Sequence, residues 1–411
     1  MKRRVVITGC GIISSIGNNR QEVLASLQNN VSGIEHMPEW AQLGLRSQVA
    51  GTIKAIDVEE ARQKIGEVSR YMDLSSVYAT LSAEEAISDA KIPREALSTE
   101  RTACIVGSGT SNTEPIARTG LGIHEKKITA TPYDITRSMS SSCSANLANI
   151  YGVKGRSYSM SSACATSLHN IGHGCELIWN GSHDVVLAGG AEEVSAIIAI
   201  MFDRMRTAIS KAFNSTPTKA SRPYDKKRDG FVVSGGCGIV VLEEFTHASR
   251  RGAEIYGEIT GYGATSDGHD IIQPHPEGDG AYRCMKEALN MANCLPEKID
   301  CINAHATSTL AGDIAEAKAI QRLLGGKPVP ICATKSHTGH GIGAAGAQEL
   351  IYCLLMMKHG FIPASINIDA LDDPFKNLNI VRENKNASLK TLLKNSFGFG
   401  GTNACLVINR I

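Results

Sequence analysis

Three side chains have both the reactivity and the neighbours for covalent chemistry: Cys164, His305 and His340. Cys164 lies in RSYSMSSACATSLHNIG, where a strand pattern passes into a helix pattern. Ser161, Ser162, Ala163, Ala165, Thr166 and Ser167 leave room for a substrate to reach the sulfur. Unpaired N–H groups at a helix start favour thiolate, so a lowered pKa is expected here. The plainer alternative for any of the twelve cysteines is a small buried hydrophobe. The histidines shift that balance. His305 ends CINAH and His340 ends PICATKSHTGH, each after an apolar strand-like run and each rimmed by Gly, Ser and Thr. Glycine lets a ligand approach the backbone closely.

Other motifs are weaker. His337 and His340 form an HxxH, and His169 and His173 stand i, i+4 on one helix. No HExxH glutamate or third ligand accompanies either pair, so no metal site is expected. Asn395–Asn403, NSFGFGGTN, interleaves three glycines with two phenylalanines. A glycine turn carrying an aromatic suggests an amide donor or a gate; the plainer alternative is a tight strand connection. Gly9-x-Gly11 after a first strand imitates a dinucleotide fingerprint, but Ser14 stands where a third small residue, Gly or Ala, belongs. No acidic residue closes a second strand ~20 residues on, so the segment reads as a structural turn.

The elements that must position these groups follow from hydrophobic pattern. TACIVGSG, HDVVLAGG, CGIVVLEE, IDCINAHA and VPICATK read as buried strands. Helical patterns lie between them, at 75–90, 313–324 and 347–358. This alternation predicts an α/β protein with largely parallel strands, whose chemistry collects at strand carboxyl ends. One echo suggests duplication: ITGCG at 7–11 returns as ITGYG at 259–263, each followed by an amphipathic helix, near 22–28 and 281–291. The boundary is expected near 249–253, giving halves 1–250 and 253–411.

Composition removes other classes. The 42 Lys+Arg balance 41 Asp+Glu, which gives no reason to expect nucleic acid or anionic membrane as partner. The cysteines form no CxxC, and several lie in apolar runs, which points to a reducing cytosol. MKRRVVITGCGII resembles a secretory signal, but Thr8, Gly9 and Gly11 break its apolar run and no cleavage site follows. The apolar stretch 350–357 is too short to span a bilayer. A soluble, cytoplasmic protein is expected.

With SSACATS, RPYDKKRDGFVVSGG (222–236), GYGATSDG (261–268), TKSHTGHGIGAAG (334–346) and NSFGFGGTNA (395–404) in view, the chain resembles the β-ketoacyl-acyl-carrier-protein synthases of the thiolase superfamily. The resemblance spans essentially the whole length and is nearest the type I elongating subgroup of bacterial fatty-acid synthesis. It implies a thiolase fold, with two duplicated α/β halves in a five-layered αβαβα core. Decarboxylative Claisen condensation of an acyl thioester with a malonyl thioester is the implied reaction, with an acyl carrier protein as partner, a homodimer as assembly, and no cofactor or metal.

Residue by residue, the resemblance makes Cys164 the acyl acceptor and His305 and His340 the decarboxylating pair. Lys335 and Glu349 match a supporting charged pair, and Thr307 and Thr309 match contacts to the phosphopantetheine arm. Phe399 matches a gate whose N–H, with that of Cys164, forms the oxyanion hole. Thiolases and the initiating synthases use Cys-His-Cys or Cys-His-Asn instead, so His340 discriminates. Two positions depart from the family: Ala306 replaces the usual Gly, and His337 stands where Met is common. They leave a specialised polyketide or aryl-polyene ketosynthase as an alternative; a non-catalytic partner subunit is disfavoured by the intact Cys164. Docking of an acidic carrier would use Arg62, Lys64 and Arg70, interrupted by Glu67, with Lys126 and Lys127.

Overall fold

The computed structural model describes residues 3–205 and 208–411. Eleven strands form one sheet: β1 (Val5–Ile13), β2 (Thr102–Gly107), β3 (Ser157–Tyr158), β4 (Val185–Glu192), β5 (Gly236–Glu244), β6 (Gly257–Ser266), β7 (Cys301–Asn303), β8 (Pro330–Cys332), β9 (Asn379–Ile380), β10 (Thr391–Gly398) and β11 (Thr402–Asn409). Their spatial order is β9-β8-β7-β10-β11-β6-β1-β5-β4-β2-β3. Counted outward from the β6–β1 junction, each side runs first, fifth, fourth, second, third strand, with β9 added on one edge. The ladders repeat too: antiparallel, antiparallel, parallel, parallel. The sheet is therefore evenly mixed rather than largely parallel. The short glycine turn between β10 and β11 forces an antiparallel return that hydrophobic runs alone do not reveal.

Five principal helices cover this sheet: α1 (Leu74–Ala90), α2 (Thr166–Trp179), α3 (Asp279–Met291), α4 (Leu310–Leu324) and α5 (Ala345–His359). Alternate strand residues feed different cores. Val186 and Ala188 join Leu392, Leu406 and the residues of α2 and α5 in a central core, while Val185 and Leu187 face α1. Leu393, Cys405 and Val407 face α3 and α4 on the other side. The layers run helix, sheet, helix, sheet, helix. In α5 every residue from Ala345 to Met357 is buried, as a helix enclosed between the two halves of the sheet requires.

The repeated ITGxG pentapeptide has a packing cause. A Cβ on Gly9 or Gly11 would fall 2.2 or 1.9 Å from the carbonyl oxygens of Ala86 and Ser82 in α1. On Gly261 or Gly263 it would fall 2.0 or 2.1 Å from those of Ala288 and Cys284 in α3. These glycines lie inside β1 and β6 and let a helix rest on bare backbone. They form no turn. The first copy packs on α1 rather than on the nearer helix Arg20–Gln28.

Gly11→Ala and Gly263→Ala should each cost at least ~2 kcal/mol of stability, since no flexible side chain can yield. Chemical denaturation measures this, and an unchanged midpoint would show that α1 and α3 can slide away.

Candidate active site

Cys164 sits in the turn Ala163–Ala165 at the start of α2, beyond edge strand β3. The preceding Ala163 has φ 50°, left-handed backbone that a non-glycine residue adopts at a cost of ~1 kcal/mol or more. Strand β10 fixes this turn from below: Ser396 Oγ donates to the Cys164 carbonyl at 2.9 Å. A Cβ on Gly398 would fall 3.0 Å from the Cys164 nitrogen, so glycine lets the strand end against the turn. The backbone N–H groups of Phe399 and Cys164 both act on the sulfur.

The helix-start argument for a ready thiolate fails here. Burial outweighs the pull of Lys335 and the two N–H donors, Glu192 adds repulsion, and the thiol is pushed up to about 12. The resting form at neutral pH is thiol, and its proton leaves as the sulfur attacks.

His305 and His340 follow β7 and β8, buried with ring centroids 5.3 Å apart and planes at 86°. Burial, and then the charge of Lys335, hold both imidazoles well below their ordinary pKa, so both are neutral. Lys335 Nζ lies 3.4 Å from Nδ1 of His305. An ammonium only donates, so Nδ1 accepts and the proton of the His305 ring is on Nε2. Lys335 is held in turn by both oxygens of Glu349 at 2.8 Å. The His305 backbone N–H donates to Glu316 Oε1 at 2.8 Å and that of Ala306 to Oε2 at 2.7 Å. His340 is fixed by backbone bonds to Val232 and Ser234, within the RPYDKKRDGFVVSGG segment.

The two departures from the family pattern have separate fates. Ala306 has φ 34°, a left-handed conformation that glycine would adopt without strain. His337 points away from the sulfur: its ring nitrogens face the carbonyls of Val31 and Ala364 at 3.1 and 2.8 Å. Thr307 and Thr309 have hydroxyls 3.0 Å apart, and Thr307, Asp267, Gly312 and Phe397 line a cleft that reaches His305. The half-buried Phe399 ring is 6.4 Å from Phe202, which packs at 5.0 Å on Phe231, itself 5.3 Å from His340. His169 bonds Ser162 Oγ at 2.7 Å and His173 contacts Tyr158 and Glu176, so neither shares a ligand set with the other.

The proposed docking residues are unequal. Arg62 is turned inward, donating to the Ser69 and Met72 carbonyls at 2.8 and 3.2 Å. Lys64 pairs with Glu60 and Lys127 with Glu125, while Lys126 is exposed. Arg70 stacks on Tyr71 and Tyr133, and with Arg62 and Arg137 it lines one surface cavity.

Comparison with known proteins identifies the family. Residues 2–248 match the β-ketoacyl synthase N-terminal domain, and residues 256–369 match the C-terminal domain. The chain belongs to the β-ketoacyl synthase family. It is 51% identical over 411 residues, 99% of each chain, to 3-oxoacyl-acyl-carrier-protein synthase 1 of Haemophilus influenzae. Its fold superposes with a TM-score of 0.94 on a β-ketoacyl synthase from Burkholderia phymatum, 34% identical over all of both chains. A ketosynthase solved with its type II polyketide acyl-carrier protein and bound hexaketide gives 0.91 at 28% identity, again over all of both chains.

Several residues that shape the site of this family member escape sequence reasoning. Lys394, Asn395 and Ser396 in β10 touch Glu349, Glu316 and the Cys164 carbonyl. Lysine within the apolar run TLLK was the available signal. Glu192, ending β4, accepts from Ser108, Thr110, Gly109 and Gly343, tying the loop after β2 to the turn after His340. Arg137 carried no signal beyond charge.

Because its thiol is held up by burial, alkylation of Cys164 by iodoacetamide should accelerate with pH through neutrality and beyond pH ~9. A rate already level near pH ~7 would mean that the thiolate is preformed.

Proposed function

We propose that this chain is a 3-oxoacyl-acyl-carrier-protein synthase that lengthens an acyl chain by decarboxylative Claisen condensation. The observation that carries this reading is one buried thiol, eased toward its anion by two backbone N–H groups and joined through Phe231 to two neutral imidazoles. In the first step Cys164 sulfur bonds to the acyl carbonyl carbon, and the carrier thiol leaves with the proton. The N–H groups of Phe399 and Cys164 stabilise the oxyanion, each by ~3 kcal/mol. In the second step the malonyl thioester loses CO2, and the freed electron pair becomes an enolate. His305, through Nε2–H, and His340 donate to its oxygen. The enolate carbon then attacks the acyl carbon, the C–S bond breaks with its electron pair going to sulfur, and the Cys164 thiolate takes a proton from water. Atoms and electrons balance without metal or redox cofactor. Residues 1–250 bring the nucleophile and residues 253–411 the histidines, with Lys335 and Glu349 setting the His305 ring. Thr307 and Thr309 serve the phosphopantetheine arm, and Phe399 serves as gate.

The substrate carrier in this reading is an acyl carrier protein, a partner supported by the ketosynthase solved with one. Identity of 51% to a 3-oxoacyl-acyl-carrier-protein synthase 1, against 28% to a polyketide ketosynthase, favours fatty-acid elongation. A homodimer is supported by the exposed apolar side chains of Ile116, Ile123, Ile128 and Ile135 on one surface segment. A cytoplasmic location accords with the free cysteines, all buried but Cys294; among the described residues no helix is long and apolar enough to cross a membrane.

An acyl-carrier thioester should add one acyl mass to the peptide containing Cys164, and Cys164→Ser should lose most condensation. Full condensation by Cys164→Ala would sink the assignment. Charge reversal of Lys126 and Lys127 should raise KM for carrier-bound acyl groups, as should added salt, while a small pantetheine thioester turns over unchanged. Equal loss on both substrates would move the docking site elsewhere.

A further inference from the structure

Strand β10 buries an ammonium group that the condensation reading does not use. Lys394 is fully buried, with Nζ 2.8 Å from Glu349 Oε2 and donating to the Asn395 carbonyl. Glu349 also holds Lys335 through both oxygens, so one carboxylate carries two ammonium groups. The second anion is Glu316, bound to the His305 and Ala306 N–H groups and the Asn395 amide. Two cations and two anions balance in a dry site, where an isolated charge would be prohibitive. Lys335 alone would satisfy Glu349, so the second cation calls for an explanation beyond pairing.

We propose that Lys394 is a positioning residue for decarboxylation: it shares Glu349 with Lys335, which meets His305 Nδ1, so a second fixed positive charge stands behind the two imidazole donors. The proposal rests on the reading of those histidines given above. Titratable and charged groups that interact with Lys394 are Glu349 and Cys353 from α5, Cys405 from β11, Lys335, His305 and His340; Glu316 lies across the strand, on Asn395. Its charge disfavours protonation of both imidazoles, adding to burial and to Lys335. The sign follows directly. Removing Lys394 eases protonation, the rings become imidazolium at a higher pH, and the loss falls on the acid side.

Malonyl-thioester decarboxylation should be followed from about pH 5 to 8 for wild type, Lys394→Gln, Lys394→Met and Lys394→Arg. Gln retains a hydrogen bond to Glu349 without charge, and covers the case in which Met fails to fold. The uncharged variants should approach wild type near pH ~8. Their acid limb should move up by about one pH unit, a tenfold loss at the acid end, and Arg should restore it. A ratio to wild type that is constant at every pH, or an Arg variant no better than Gln, would overturn the proposal. Nitrogen-15 NMR of histidine-labelled, substrate-free protein gives a readout without turnover. His305 should carry its proton on Nε2 in the wild type and protonate earlier in Lys394→Gln; wild-type imidazolium appearing near the ordinary pH of ~6.5 would refute the claim. Wild type that decarboxylates no malonyl thioester would instead defeat the functional reading, and the NMR would still decide on Lys394.

Discussion

One strand holds both halves of the chemistry in register. Because successive side chains of a strand point to opposite faces, β10 presents Lys394, Ser396 and Gly398 to the central layer and Asn395 and Phe397 to the other side. The first set reaches Glu349 and the Cys164 turn; the second reaches Glu316 and His305. A one-residue slip would exchange the two sets, separating the thiol from its donors and the His305 backbone from its carboxylate. The β10–β11 ladder, paired from Thr391↔Asn409 to Gly398↔Thr402, prevents that slip.

Strain concentrates where this frame delivers its groups. Ala163 before Cys164, Ala306 and Ser308 after His305, and Ile342 after His340 all have left-handed backbone. Such conformations persist only where the surroundings over-determine them. Here the surroundings are the core enclosing α2 and α5 and buried carboxylates bonded to backbone N–H groups: Glu316 at 305–306 and Glu192 at 109 and 343. Breaking either carboxylate network would leave buried donors unpaired, at ~1–3 kcal/mol for each group.

What could be read from the sequence was local. Small residues around Cys164 and the apolar runs before His305 and His340 are contiguous signals, and the five buried strands and three helices quoted from the sequence all form. The ITGxG echo marked a duplicated topology, although its glycines serve helix contact rather than a turn. Long-range electrostatics stayed hidden. The helix start at Cys164 argued for a thiolate, whereas enclosure by Glu192 and apolar side chains from distant segments argues more strongly for a thiol. Lys394 looked like any lysine until Glu349, 45 positions earlier in the chain, closed over it. Arg62 read as a docking cation, yet its guanidinium is occupied with the carbonyls of Ser69 and Met72.

The central claim is a division of labour between thiol and imidazoles, and separating the two half-reactions tests it most directly. In His305→Ala, His340→Ala and the double variant, acyl loading of Cys164 and CO2 release from a malonyl thioester can be timed independently in single turnovers. Acyl loading should stay within a few-fold of wild type, with CO2 release lost in each single variant and hardly lower in the double, because both donors serve one developing charge. Loss of acyl loading alongside CO2 release, or losses that multiply in the double variant, would contradict it.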